Sequence, residues 1–255
     1  MDWPLWVYPL LFLTGLIAGL VDAVAGGGGL ITVPVLLNLG LPAPLALGTN
    51  KLQASFGSVM AAATFVRRGV VNLRECRTGI LSTLVGALAG ASFVQWLDAD
   101  LLARFIPWLL GAILLYMIFR PQVGAKDHPP RLRWGWFFTA FGLGLGVYDG
   151  FFGPGVGSFW TIAFVLVQGC NFTHATGLTK VMNATSNVAS LVLFGLFGSL
   201  HLGAGLTMGA GQVIGARLGA GLVVKKGARF VRPIFLTMVA LTLLRLLYVT
   251  FVAPA

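Results

Sequence analysis

The sequence predicts an all-α polytopic membrane protein, built from two inverted repeats of about five hydrophobic segments, each repeat with one short or broken helix. Three observations carry that prediction. The 255 residues are 57% hydrophobic and only 9% charged, with a mean hydropathy of +0.90, whereas soluble domains carry about 25% charged residues. The apolar residues fall into ten runs separated by short polar loops. And the two halves of the chain match each other while their loop charges are reversed.

The runs lie at about 4–24, 27–40, 44–66, 76–97, 101–119, 134–150, 154–169, 174–197, 203–224 and 230–252. A helix needs ~20 residues to span a bilayer, so 27–40 and 154–169 are short and read as partial crossings. The first run has no basic start and reads as a membrane segment, not a cleaved signal. Asp22, Gly26 and Gly28 recur as Asp149, Gly153 and Gly155, each 127 positions on. Gly48 and Lys51 recur as Gly177 and Lys180, 129 on, and Gly86-Ala87-Leu88-Ala89-Gly90-Ala91 recurs as Gly215-Ala216-Arg217-Leu218-Gly219-Ala220 at the same offset. The organisation is therefore a first repeat over 1–119, a cytoplasmic linker over 120–133 and a second repeat over 134–255.

The net charge of +10 is concentrated in loops. Arg67, Arg68, Arg74 and Arg77 fill one, Arg120, Lys126, Arg131 and Arg133 the linker, and Lys225, Lys226, Arg229 and Arg232 a third. Cations set in short loops between apolar runs are topology determinants and not a nucleic-acid surface. In the first repeat the basic loop follows segment three, and the loop after segment four is acidic (Asp98, Asp100). In the second repeat Gly198–Leu202 lacks Lys and Arg, and the loop after segment four is basic. An odd number of segments per repeat produces this inversion. With basic loops in the cytoplasm, both termini lie on the other side of the cell membrane. Inverted repeats with broken segments are the pattern of secondary transporters, whose site lies between the halves at mid-membrane.

The glycine runs mark that site. Gly26-Gly27-Gly28-Gly29 and Gly153-Pro154-Gly155-Val156-Gly157 each open a short segment. A helix starting inside the membrane points free N–H donors and partial positive charge inward, which favours an anion. Glycine lets a ligand approach the backbone. The competing reading is close helix contact through small residues. Lys51, Lys180 and Arg217 sit inside apolar runs, where a charge costs a few kcal/mol without a partner; snorkelling to an interface is the alternative for the lysines. Lys180, Asn183, Asn187 and Ser190 share one helical face, and Lys51, Ser55 and Ser58 form a thinner stripe, suited to lining a cavity or to joining helices. Asp22 and Asp149 read as caps for free N–H groups or as lysine partners, ahead of proton carriage. The expected substrate-binding set is thus Gly26, Gly27, Gly28, Lys51, Gly153, Gly155, Gly157, Lys180, Asn183, Asn187 and Arg217, with Asp22 and Asp149 as charge partners.

Other residues read as structural. His174 and His201 end segments and suit an interface, as do Trp3, Trp6, Trp134 and Trp136. Cys76 and Cys170 have no metal or redox spacing. The chain offers no nucleophile–base pair, no metal ligand cluster and no nucleotide phosphate loop, so neither an enzyme nor a directly ATP-driven pump is expected, and no cofactor. Two transport classes remain: a carrier with alternating access and an anion channel or pore.

"AGLVDAVAGGGGLITVP", "GTNKLQ", "GVYDGFFGPGVGSF", "TKVMNATSN" and "GQVIGARLGAGLV" resemble the sulfite exporter TauE/SafE family of membrane permeases, over nearly the whole chain and both repeats. The resemblance implies a bacterial inner-membrane permease for a small sulfur-containing anion such as sulfite or an organosulfonate. It leaves the identity of the anion, the direction of transport, the coupling ion and a homo-oligomeric state open.

Overall fold

A computed structural model describes residues 3–92 and 124–251; Asp98, Asp100 and Arg120, used above for loop charge and the linker, lie outside the described residues. Every regular element in them is helical. In chain order they are α1 (Val7–Ala25), α2 (Gly28–Asn38), α3 (Ala43–Arg67), α4 (Arg77–Ser92), α5 (Trp134–Phe151), α6 (Val156–Leu166), α7 (Phe172–Leu196), α8 (Leu202–Lys226) and α9 (Ala228–Phe251). The two short segments become helices of 11 residues each. At 1.5 Å per residue these reach about 16 Å, half a hydrocarbon core.

Local signals set the helix ends. Pro42 and the proline after Ala43 open α3, where a missing N–H costs nothing. Asn171 caps α7 by accepting the His174 N–H at 3.0 Å, and His201 Nδ1 accepts the Ala204 N–H at 3.1 Å to open α8. Gly26, in the left-handed region at φ 78°, ends α1 and donates its N–H to Asp22 O at 2.8 Å.

The bundle is apolar outside, and inside it buries a polar group of residues beside a large apolar core that includes Phe65, Phe137, Trp160 and Phe164. Its exposed surface carries Leu10, Leu13 and Ile17 on α1, Leu81 and Val85 on α4, Val188, Val192 and Leu196 on α7, and Leu202 and Leu206 on α8. Its interior holds Asn50, Lys51, Gln53, Asp149, Lys180, Asn183, Ser186 and Gln212. A water-soluble bundle carries polar residues on such outer faces, and lipid supplies the solvent for the outer leucines. This explains why α1 alone, among the described helices, joins spanning length to high mean hydropathy (1.9 over its best window). α3, α7 and α8 reach 25 residues each, but polar and glycine residues on their inner faces lower their averages.

Glycine brings the helices together. On α8, Gly215 and Gly219 lie against the Leu16 and Leu20 carbonyls of α1; on α4, Gly86 and Gly90 lie against the Leu143 and Val147 carbonyls of α5. The contacts correspond residue for residue. A Cβ on Gly219 would sit 2.6 Å from Leu20 O, and one on Gly86 2.5 Å from Leu143 O, closer than any side chain tolerates. The α1–α8 and α4–α5 pairs are each parallel, and α3 runs parallel to α8, with Leu52 against Gly205 and Phe56 against Gly209. α3 crosses α7 in the opposite sense, since Gly48 meets Phe194 while Gly177 meets Phe65.

These directions gather the basic loops at one end of the bundle. Arg67, Arg68 and Lys225 line one cleft there, and Cys76, Trp134 and His174 line another. At the other end Trp3 stacks on His201 with ring centroids 4.6 Å apart, and the His201 N–H donates to Thr49 Oγ1 at 2.9 Å. The described part of the linker lies along the α6–α7 turn. Phe172 N–H donates to Gly124 O, His128 N–H to Gly169 O and Arg131 N–H to Val167 O at 2.7–2.9 Å. Asp127 accepts both the backbone and side-chain N–H groups of Asn171 at 2.8 and 2.7 Å.

Candidate functional site

The two glycine runs meet. Gly26 lies on Gly157 so closely that a Cβ at Gly26 would be 2.5 Å from the Gly157 carbonyl carbon, and a Cβ at Gly29 would be 3.6 Å from Pro154 Cα. The N-termini of α2 and α6 therefore converge on one point. Between them is a narrow cavity of about 30 Å³, whose wall includes Gly26, Gly28, Gly153, Gly155 and Gly157. At about 10–15 Å³ per water on that measure, it holds roughly two water molecules. Gly27 is buried at the start of α2 but lies outside this wall. Both readings of the glycines thus apply, to different residues: Gly26 and Gly157 allow backbone contact, Gly28 and Gly153 let Asp22 and the Lys51–Asp149 pair pack closely, and Gly155 leaves open space.

Both buried lysines are paired, each with the aspartate of the other half. Lys51 Nζ is 2.6 Å from Asp149 Oδ1 and also donates to the Asp149 carbonyl; the Ser186 hydroxyl donates to Asp149 Oδ2. Lys180 Nζ is 2.9 Å from Asp22 Oδ2, while Asp22 Oδ1 accepts the Gly28 N–H at 3.2 Å. Asp22 therefore caps α2 and neutralises Lys180 at once. The pairs differ in exposure. Lys51 and Asp149 are 1% and 2% exposed, whereas Asp22 is 20% exposed beside a fully buried Lys180.

The sequence reading puts Lys51 and Lys180 in the substrate-binding set with Asp22 and Asp149 as charge partners; in the structure each lysine stands behind its carboxylate, and Asp22 and Asp149 form part of the cavity wall. A buried ammonium takes the nearest carboxylate, because its charge is uncompensated otherwise. Arg217 is not brought to the site. It is exposed on α8 and lines a separate cleft with Arg67, Arg68 and Lys225. The centre then holds two cations and two carboxylates, not a cationic excess.

Amide side chains complete the cavity: Asn183 and Asn187 from α7, Asn50 from α3 and Gln212 from α8. Asn183 Oδ1 is buried with no hydrogen-bond partner, and such a group calls for water or a ligand. Asn50 Oδ1 is occupied by Thr32 and Gln53 at 2.6 and 2.7 Å, which leaves its N–H₂ donors for other partners. The matching positions in the second half, Thr161 and Thr179, bond to each other at 3.1 Å. Ser55 and Ser58 turn back onto their own helix, donating to Lys51 O and Ala54 O. Ser190 Oγ is buried without a partner.

Asn50 and Gln212 escaped the sequence reading. Asn50 immediately precedes Lys51, and its match is Thr179. Gln212 sits among glycines, and its match at the 129 offset is Thr83. A signal did exist, since Gln212 is a lone amide in a glycine-rich apolar run, and such a group in a membrane helix faces the interior. Among the described residues no cluster of His, Cys, Asp and Glu could hold a metal ion.

A polar, charge-compensated cavity, walled by broken-helix N-termini within a bundle whose exterior is apolar, defines a helical membrane transporter. The chain belongs to the sulfite exporter TauE/SafE family, whose profile matches residues 11–246. It is 42% identical over 239 residues to the probable membrane transporter protein YfcA of Escherichia coli K12, covering 94% of this chain and 89% of that protein. A probable membrane transporter protein of Haemophilus influenzae is 41% identical, with 97% of both chains covered. Probable membrane transporter protein YdhB of Bacillus subtilis is 26% identical over 68% of this chain and 71% of its own length. No solved structure gives a significant match.

Proposed function

We propose that the chain is a secondary carrier that moves a small sulfur-containing oxyanion, sulfite or an organosulfonate, across the cell membrane by alternating access between two inverted repeats. The observation that carries this reading is the convergence of the α2 and α6 N-termini on a cavity walled by Asn50, Asn183, Asn187 and Gln212. Neutral amide donors and helix N-termini bind an oxyanion without needing a free cation. The reciprocal Lys–Asp pairs offset the carboxylate charges, which lessens their repulsion of it. The family's name supports the sulfur anion. The corresponding contacts of α1 with α8 and of α5 with α4, with α1 and α5 running in opposite senses, support the inverted repeat. The narrowness of the cavity favours a carrier over a pore.

Purified protein tests the reading by thermal shift. Sulfite, thiosulfate, sulfoacetate or taurine should raise the melting temperature, because a ligand that binds the folded form stabilises it; chloride should not. Asn183→Leu and Gln212→Leu should abolish that shift. In proteoliposomes the flux should saturate and show counterflow. A linear, non-saturating flux would establish the pore instead, and no shift with any sulfur anion would refute the substrate class.

A further inference from the structure

Arg217 and its surroundings make a second site. The cleft it lines has a volume of about 590 Å³ and lies between α1, α3 and α8. Four cations face it: Arg67 and Arg68 at the end of α3, Arg217 on α8, and Lys225 two turns further along α8. All four are exposed, and no carboxylate lines the cleft. Neither of the two ion pairs among the described residues involves them. The remaining walls are mostly apolar, with Leu20, Met60 and Leu222 prominent, and Thr64 turns its hydroxyl onto the Met60 carbonyl.

Two physical facts limit what fits there. Arg217 lies on the same outward face as Ile214 and Leu218, which are 45% and 53% exposed. Eight residues separate it from Lys225, about 12 Å of helix, so it stands well inside the lipid-facing belt. A guanidinium at such depth is costly without a partner, and an anion beside it lessens that cost. Apolar walls of this extent do not suit a hydrated inorganic ion, but they do suit an acyl chain. A cationic cluster at one end of an apolar groove between membrane helices matches an anionic headgroup with its tail.

We propose that this cleft binds an anionic phospholipid, its phosphate held by Arg217, Arg67, Arg68 and Lys225 and a chain laid along Leu20, Met60 and Leu222. The site is separate from the central cavity and does not depend on the transported substrate.

Detergent-purified protein is titrated with phosphatidylglycerol, cardiolipin, phosphatidylcholine or inorganic phosphate, and followed by melting temperature and by native mass spectrometry. The two anionic lipids should raise the melting temperature and remain as adducts, while phosphatidylcholine and phosphate should do neither. Arg217→Gln should weaken anionic-lipid retention at least tenfold, and Arg67→Gln/Arg68→Gln/Lys225→Gln should do the same independently. Each variant's melting in phosphatidylcholine checks its fold, so a variant that fails to fold is replaced by the other. Equal stabilisation by phosphatidylglycerol and phosphatidylcholine would overturn the proposal. So would stabilisation by inorganic phosphate alone, or folded variants that keep the parent's preference for anionic lipid.

Discussion

Replacing Lys51 with methionine tests the cross-half pairing most directly. The substitution keeps the volume of the stem and removes the ammonium. Asp149 is 2% exposed and loses its 2.6 Å partner, retaining only the Ser186 hydroxyl. Breaking a buried pair from one side typically costs about 3–5 kcal/mol, because the remaining charge has no compensation. For a chain of this length, each kcal/mol is worth about 2–4 °C in melting temperature, so Lys51→Met should melt about 6–20 °C below the parent. Lys51→Met/Asp149→Asn removes both charges and should recover most of that loss. Lys180→Met should cost less, since Asp22 is 20% exposed and keeps the Gly28 N–H. The assay is thermal melting in one detergent of the parent, Lys51→Met, Asp149→Asn, their double variant and Lys180→Met, with the first four read as a double-mutant cycle. If the double variant is no more stable than Lys51→Met, or if Lys180→Met is the more damaging single change, the pairing argument is wrong.

Three other outcomes follow from the geometry. Gly26→Ala should lower stability and abolish transport, since its Cβ would meet the Gly157 backbone at 2.5 Å at a φ of 78°; Gly40→Ala, at φ 86° with nothing within 4 Å, should cost only the backbone strain. Comparable melting for the two would remove the case for contact between the loops. Cys76 and Cys170 should resist maleimide at pH 7 in the folded protein. Burial, with smaller help from Glu75 and Asp127, pushes their thiols from 9.0 up to about 11 and about 12. The unfolded chain ionises first, so these thiols stabilise the fold below pH 9, and that stability falls as pH rises from 9 to about 11–12; rapid labelling at pH 7 would contradict this. Finally, Arg68→Cys should be labelled only from the cytoplasm and Phe197→Cys only from the other side, and labelling of both from one side would overturn the topology.

The sequence displays the helices and the position of the breaks because both are local. Apolar runs, Gly26 and Gly153 with its following proline each leave a mark within a few residues. Glycine also announced the helix contacts, since the runs around Gly86 and Gly215 match each other and face corresponding partners, Leu143 and Leu16. What the sequence cannot display is which partner a charge takes. Arg217 lies in the middle of an apolar run just as Lys51 and Lys180 lie inside theirs, yet it faces outward. Only its helical phase relative to Gln212 and Gly215, which face inward, separates the two cases. Five residues past Gln212 is about 500° at 100° per residue, which puts Arg217 about 140° away around α8 and almost opposite the cavity.

The same reasoning explains why the lysines are not themselves the cavity wall. Lys51 lies about a third of the way along α3, and Lys180 a third of the way along α7, and the two helices run in opposite senses. Each lysine is therefore displaced from the middle of the bundle toward a different end. Each reaches the aspartate that closes the first helix of the other half, Asp149 of α5 or Asp22 of α1. The α2 and α6 breaks follow immediately, so every pair ties one half's central helix to the other half's break. Any rocking of the halves has to stretch or exchange both ties. The loop of the second half is two residues longer, because α1 and α2 are separated by Gly26 and Gly27 while α5 and α6 are separated by residues 152–155. Asp149 is buried and takes three hydrogen bonds from two donors, Lys51 and Ser186, one of them at its backbone carbonyl, whereas Asp22 is 20% exposed. The Asp22–Lys180 tie is the longer and more exposed of the two, at 2.9 Å against 2.6 Å.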